Sequence, residues 1–205
     1  MKNSKRIILL TLIVNYILIG CDLLDTLNPN NRDNYEVGKE YSIVDNENHH
    51  ITMKLEYGSL YFSVDCLNNT TDNFLDSWPS DTISFYFDVN QNGRIDENID
   101  VAYGISSSKT LCNQYLIDST TSTFCGAFPT SAVLTHNFTQ SSDSSDDHVI
   151  WDFSVPFKEV SSNNSVHVTI HEHDPDYGWI EYPENQNYIG YKSTTFPTTY
   201  EFSWK

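Results

Sequence analysis

Apolar and polar side chains alternate with a period of two along much of the chain between residues 51 and 204. Such alternation is typical of strands that turn one face to a core and the other to water. It predicts strands at Ile51–Tyr57, Leu60–Cys66, Thr82–Phe87, Thr110–Ile117, Ser122–Phe128, Val149–Phe157, Val166–Ile170 and Tyr200–Trp204. Turn-rich segments separate these strands, and no long stretch keeps a helical period. The pattern therefore predicts an all-β protein built as an antiparallel β-sandwich.

Composition agrees with this fold and excludes other classes. Three alanines stand against 13 Tyr and 11 Phe in 205 residues, which disfavours a helical protein. The 28 acidic and 11 basic side chains give a formal charge of −17, so nucleic acid is not an expected partner. The length suits one domain of sandwich size.

The N-terminus has the pattern of an export signal. Three basic residues precede an apolar run from Ile7 to Ile19, which is short for a membrane span. Gly20 and Cys21 end this run in a sequence that resembles a bacterial lipobox, although an ordinary secretory signal is the alternative. We expect a signal peptide at residues 1–20, lipid on Cys21, a flexible tether over residues 21–36 and the sandwich at residues 37–205. Cleavage would make the side-chain charge −20.

A lipid on Cys21 would anchor the protein to a membrane of the bacterial cell envelope, with no other membrane contact. The residue after Cys21 is Asp22, which resembles an inner-membrane retention signal in enteric bacteria. Other phyla use that position differently, so both the membrane and the face stay open.

Three cysteines remain after Cys21. Cys112 and Cys125 lie in neighbouring predicted strands, and a favourable hairpin register would let them form a disulfide. Cys66 shares the apolar face of Leu60, Phe62 and Val64, which predicts a buried thiol.

Residues 88–100 have the spacing of a calcium-binding loop. The oxygen-bearing side chains are Asp88, Asn90, Asn92 and Asp96, Gly93 stands where the chain must turn sharply, and Arg94 offers its backbone carbonyl. Asp100 or Glu97 would supply a further ligand. Calcium prefers six to eight oxygens, which alternate residues of a tight loop supply. The bidentate Glu of an EF-hand is missing, and a strand precedes the loop, so a β-scaffold loop is the better comparison. An Asn- and Asp-rich turn without metal is the alternative.

The segment from Val166 to Asp174 places His167, Thr169, His171 and His173 on one side of a strand. His171 and His173 have the spacing of two zinc ligands, with a third needed from elsewhere, but the polar outer face of a sandwich strand is the preferred interpretation.

An aromatic segment follows, with Asp174, Asp176, Tyr177, Trp179 and Tyr182 as candidate ligand-binding residues. Flat rings beside carboxylates suit a polysaccharide or glycan, because a ring packs against the apolar face of a sugar. The alternative is that these rings cover the end of the core.

The chain lacks the Gly-x-Ser-x-Gly, Walker and Gly-x-Gly-x-x-Gly motifs. Carboxylates are plentiful, so a glycoside hydrolase is not excluded, but no pair stands out. We expect a protein without catalytic residues.

Several segments in order resemble family 9 carbohydrate-binding modules and the wider group of DOMON-like sandwiches. They are Leu60–Val64, Trp78–Asp88, Ile150–Phe157 and Val166–Asp176. The resemblance covers roughly residues 40–204. It implies a jelly-roll-like sandwich, calcium in some members and sugar binding in the founding members.

Two functions follow as hypotheses. The first is a non-catalytic envelope lipoprotein that binds a glycan through a calcium-stabilised sandwich. The second is an envelope lipoprotein that holds a protein partner, with its acidic loops attracting a basic surface.

Overall fold

The computed structural model describes residues 34–74, 80–105, 111–116, 128–183 and 199–204. Over these residues the chain forms twelve strands and one short helix, all within one compact unit, Arg32–Lys205. The strands are β1 (Asn34–Tyr35), β2 (Glu40–Asp45), β3 (His49–Glu56), β4 (Ser59–Cys66), β5 (Thr82–Phe87), β6 (Val101–Ile105), β7 (Leu111–Tyr115), β8 (Val133–Thr139), β9 (His148–Pro156), β10 (Ser165–Asp174), β11 (Gly178–Tyr182) and β12 (Tyr200–Trp204). The helix, α1, is the single turn Phe157–Val160.

The strands form two sheets, which confirms the predicted all-β sandwich. The first sheet has the order β1-β12-β10-β5-β6-β7, and the second has the order β2-β3-β4-β9-β8. Pairing is antiparallel except between β1 and β12. Two strands share one edge of β10: its first half pairs with β12 and its second half pairs with β11.

The core lies between the two sheets and is rich in aromatic rings. The ring of Phe153 on β9 contacts four others: Phe62 beside it, and Phe85, Phe87 and Tyr103 from the opposite sheet. The buried positions of β3 and β5 are alternate residues, as the period of two predicted. The hydrophobic free energy of this layer is the main force that holds the sheets together.

The predicted strands agree with the observed ones where both are described. Residues 122–128 are an exception, because residues 117–127 lie outside the described part. The analysis of alternation missed β1, β2, β6, β8 and β11. In β8 the inward series includes the polar His136 and the outward series includes the apolar Val133, so the sequence pattern is mixed although burial alternates. In β6 neighbouring residues are buried on both faces.

The folded unit begins before residue 37, where the tether was expected to end. Asn34 and Tyr35 pair with Ser203 and Trp204, and Tyr35 is buried against the ring of Phe202. The prediction was wrong at this boundary, since two residues are too short for a sequence pattern. The structure describes nothing of residues 1–33. Among the described helices, none combines the length and the apolar character that crossing a bilayer requires.

The turn between β3 and β4 is determined by local chemistry. Tyr57 and Gly58 both have positive φ angles, 50° and 77°. A two-residue hairpin with both central residues in this region matches the twist of the flanking strands. The turn leaves the Tyr57 ring 92% exposed.

Candidate functional site

The calcium-like loop between β5 and β6 has its predicted ligands at its two ends and along its turn. Within the described ranges, its carboxylates do not form a group of three whose oxygens lie within 4.8 Å of one another. Asp88 and Asp100 are buried at the two ends of the loop, while Asn92 and Arg94 are exposed. Asp88 accepts hydrogen bonds from the backbone N–H groups of Asn92 and Gly93, and Gly93 has a φ of 73°. The sharp turn that the sequence predicted at this glycine is therefore present.

Hydrogen bonds inside the loop show how its carboxylates are held. Asp96 Oδ2 accepts from the side-chain amides of Asn90, at 2.6 Å, and Asn92, at 2.5 Å. Asp100 accepts from the backbone N–H groups of Val89 and Asp96. Burial raises the pKa of Asp100 to about 6, and the negative charges of Asp88 and Asp96 add to the shift. A cation would relieve this repulsion, but both amides would first have to rotate so that Oδ1 faces it.

The aromatic segment forms a hairpin, in which β11 returns beside β10. Asp174 pairs with Gly178 and His173 with Trp179, so Trp179 belongs to β11. Tyr177 at the tip is 61% exposed and Trp179 is 52% exposed. The Trp179 ring lies 4.7 Å from the ring of His173, measured between centroids. Two large rings are thus open to solvent within three residues.

The other three predicted ligand residues have different positions. Tyr182 is only 4% exposed and lies on the inner face of β11, where its ring is 5.2 Å from that of His49. Asp174 is buried, and its Oδ1 accepts from the N–H groups of Asp176 and Tyr177, so it holds the turn. Asp176 remains at the surface near Asn73. The hairpin therefore presents Asp176, Tyr177 and Trp179, and separates Tyr182 from them.

The histidine side of β10 is largely buried, which corrects the expectation of a polar outer face. Thr169, His171 and His173 are all buried, and only His167 is partly exposed. His171 Nε2 lies 2.5 Å from Glu181 Oε1, and His173 Nδ1 lies 3.0 Å from the carbonyl oxygen of Ser80. Within the described ranges, no group of three ligating side chains includes His171 or His173. The geometry gives no support to a zinc site formed by these two histidines.

Burial has opposite effects on the two members of the His171–Glu181 contact. It lowers the pKa of His171 to about 4 and raises the pKa of Glu181 to about 7. Both shifts favour the uncharged form of the side chain. The contact is therefore a hydrogen bond between mainly neutral groups near pH 6.

A cluster of buried polar groups that the sequence analysis missed lies at one end of the sandwich. Glu172 continues the inward series Val166, Val168 and Ile170, and its Oε2 is 2.7 Å from His49 Nε2 on the opposite sheet. Cys66 is a free, buried thiol in the same region. The predicted strands begin at Ile51 and end at Ile170, so they omit His49 and Glu172, although both residues continue the inward parity of their strands.

A groove of about 350 Å³ crosses the outer face of the second sheet. Residues from all five strands of this sheet line the groove, among them Lys54, whose Nζ lies 5.7 Å from the centroid of the Tyr61 ring. Asp152 accepts hydrogen bonds from Ser63 Oγ and Asn137 Nδ2 on neighbouring strands. The volume falls in the range of small-ligand sites. Of the aromatic residues that line the groove, Tyr61 is exposed, while Phe62 and Phe153 are buried.

One of the two cysteines of the expected disulfide lies in the described part of the chain. Cys112 is disulfide-bonded, but Cys125 lies outside the described residues, so the pairing of these two stays a prediction.

No protein-family model matches the chain, and no curated protein matches it. Solved structures with a similar fold include a family 9 carbohydrate-binding module from Caldicellulosiruptor kristjanssonii in complex with glucose. Identity is 12%, the TM-score is 0.49, and the match covers 84% of this chain and 96% of the other. A module of the same family and organism in complex with cellotriose matches at 10% identity and a TM-score of 0.47, over 85% and 94% of the two chains. Neither match assigns a ligand to this chain.

Proposed function

We propose that this protein is a non-catalytic carbohydrate-binding protein of the bacterial cell envelope, and that sugar binds at the tip of the β10–β11 hairpin. One observation carries the proposal: Tyr177 and Trp179 are both more than half exposed, whereas many other aromatic residues are buried in the core. Exposed large rings beside polar groups are typical of recognition surfaces.

The chemistry of the hairpin tip suits a glycan. A pyranose has one apolar face formed by C–H groups, which packs against an aromatic ring, while its hydroxyls need polar partners at the edge. Asp176 and Asn73 supply a carboxylate and an amide beside the rings. The turn is held by two hydrogen bonds to Asp174, so the rings are presented on an ordered backbone. Such preorganisation reduces the entropic cost of binding.

Retention on immobilised or gel-embedded polysaccharides tests the proposal. We expect the wild-type chain to be retained by at least one polysaccharide, and Trp179→Ala to lose most of that retention. Tyr57→Ala is the matched control, because Tyr57 is the most exposed aromatic residue described and lies on another turn. Tyr61→Ala reports on the outer groove instead.

Each outcome has a separate meaning. Loss with Trp179→Ala alone supports the hairpin, and loss with Tyr61→Ala alone would move the site to the groove. Absence of retention on any polysaccharide would overturn the proposal and favour the alternative, in which the acidic surface binds a protein partner.

We also propose that calcium stabilises the loop between β5 and β6. Its support is the spacing of Asp88, Asn90, Asp96 and Asp100 along the loop, together with the buried Oδ1 of Asn90, which has no hydrogen-bond partner among the described residues. A thermal melt in millimolar calcium tests this role. An unchanged melting temperature would remove it.

Attachment to the envelope through lipid on Cys21 is the third part of the proposal. It rests on the sequence pattern of residues 1–21. Metabolic labelling with a fatty-acid analogue is expected to mark the wild-type protein in bacteria, and Cys21→Ser is expected to abolish the label. Cys66→Ser should keep it, since Cys66 is buried in the sandwich. Labelling that persists in Cys21→Ser would contradict the anchor.

A further inference from the structure

We propose that His49, Cys66 and Glu172 form a zinc site that joins the two sheets at one end of the sandwich. One ligand atom from each residue lies within 4.8 Å of the others. None of the three side chains is more than 1% exposed. The site is separate from the calcium-like loop and from the β10–β11 hairpin tip.

The strand register produces this arrangement. His49 begins β3 and Cys66 ends β4, and the two are directly paired, so their side chains lie on the same inward face. Glu172 approaches from β10 of the opposite sheet, where its neighbour in register is the core residue Ile83. A metal held by all three would link β3, β4 and β10 across the sandwich.

The donor set is the chemistry that zinc prefers. Zinc in proteins is bound by imidazole nitrogen, thiolate sulfur and carboxylate oxygen, in a tetrahedron that can hold water as its fourth ligand. Tetrahedral zinc places nitrogen and oxygen ligands about 3.3 Å apart. His49 Nε2 and Glu172 Oε2 are 2.7 Å apart, so a small outward movement would accommodate the ion.

A further observation points to a missing ligand. Glu172 Oε1 is buried and has no hydrogen-bond partner within the described part of the chain. An unsatisfied buried polar atom is costly, and a bound ion is one arrangement that satisfies it.

The Cys66 thiol must lose its proton to bind the metal. Zinc takes the thiol as thiolate and the proton passes to solvent, so that Zn²⁺ and R–SH give R–S–Zn⁺ and H⁺. No oxidation is involved.

Metal titration of the full chain tests the proposal. We expect native mass spectrometry to show one tightly bound zinc after removal of free metal, and cobalt(II) to give a thiolate-to-cobalt charge-transfer band in the near ultraviolet. Cys66→Ser should abolish that band, and Glu172→Gln should weaken zinc binding at least tenfold. His50→Gln is the matched control, because His50 is the neighbouring histidine on the outer face of β3 and contacts Asp143.

Folding is monitored separately by circular dichroism, since these residues are buried. If a variant fails to fold, the wild-type protein still decides the question through its stoichiometry, its cobalt spectrum and the rise in its melting temperature with zinc. Wild-type protein that binds no zinc, or binds cobalt without a thiolate band, would overturn the proposal. So would a folded Cys66→Ser variant that binds zinc as tightly as the wild type. In those cases the three residues would form only a buried hydrogen-bonded group.

Discussion

The ring of Phe85 in one sheet stacks on the ring of Phe153 in the other, with 4.3 Å between the centroids and 24° between the planes. Both side chains are buried from solvent, and the Phe153 ring also contacts the Phe62 ring. This stack is the centre of the interface between the sheets. Because interiors are closely packed, an aromatic ring removed there leaves a space that its neighbours only partly fill.

We therefore expect Phe153→Ala to reduce the free energy of unfolding by about 3–5 kcal/mol. Val133→Ala on the adjacent strand β8 is the control, since Val133 is exposed, and it should change stability by less than about 0.5 kcal/mol. Urea denaturation measures both. Similar small effects for the two variants would show that the core is not centred on this stack.

Asp96→Asn is expected to reduce the stabilisation that calcium gives. The substitution removes one negative charge at the side chain that both Asn90 and Asn92 approach. Stabilisation by a ligand follows RT ln(1 + [L]/Kd), so a higher Kd gives a smaller rise in melting temperature. The relevant quantity is the difference between melts with and without calcium, because the substitution also alters hydrogen bonds in the metal-free loop.

Asp143→Asn is the matched control, since this residue lies in another acidic loop, at residues 140–147. It should leave the effect of calcium unchanged. An equal calcium effect in wild type and Asp96→Asn would contradict the assignment of Asp96 as a ligand.

Asp81 is expected to make the protein less stable as the pH rises from about 4 to about 6. Burial raises its pKa from 3.8 to about 6, and the charges of Asp174 and Glu172 contribute. Between these values the native state binds more protons than the unfolded state, so the free energy of unfolding falls with increasing pH. The raised pKa values of Asp100 and Glu181 lower the stability in the same direction with increasing pH, while the lowered pKa of His171 has the opposite effect.

Asp81→Asn isolates this contribution. The variant loses stability at low pH, because Asn69 Nδ2 and the Asn73 N–H both donate to the Asp81 carboxyl group. Its stability should nevertheless fall less steeply between pH 4 and 6 than that of the wild type. Chemical denaturation at several pH values measures the slopes, with Asp152→Asn on the outer groove as the control. Equal slopes in wild type and Asp81→Asn would contradict the prediction.

Gly104→Ala is expected to destabilise the sheet by about 1 kcal/mol through a steric clash. A Cβ atom at this position of β6 would lie 2.7 Å from Ser84 Oγ and 3.1 Å from the carbonyl oxygen of Ile83. Ser84→Ala in the same chain should recover part of the loss, because it removes the closer of the two atoms. A double-mutant cycle by urea denaturation gives the coupling free energy, and additive effects would show that Ser84 is not the obstacle.

The alternation of residues such as Ile83, Phe85 and Phe87 was sufficient to predict the sandwich, because burying one face of a strand imposes a period of two on its own sequence. Turn chemistry was equally local, as Gly93 shows. The contacts between distant segments could not be predicted in this way. The sequence pattern does not show how far a strand continues inside the sandwich, and this decides which polar residues face inward. Glu172 follows Ile170, the last apolar residue of the inward series, yet it still pairs with Ile83 inside the sandwich.

The sequence by itself determined the fold class, the calcium-like spacing of residues 88–100 and the aromatic content of the β10–β11 hairpin. Each of these depends on residues a few positions apart. Only the tertiary structure decided that Tyr182 turns inward while Trp179 turns outward, and that His49, Cys66 and Glu172 meet. The physical reason is that pairing between strands far apart in sequence sets both the register and the face that a neighbouring sheet covers, and neither is encoded in any single strand.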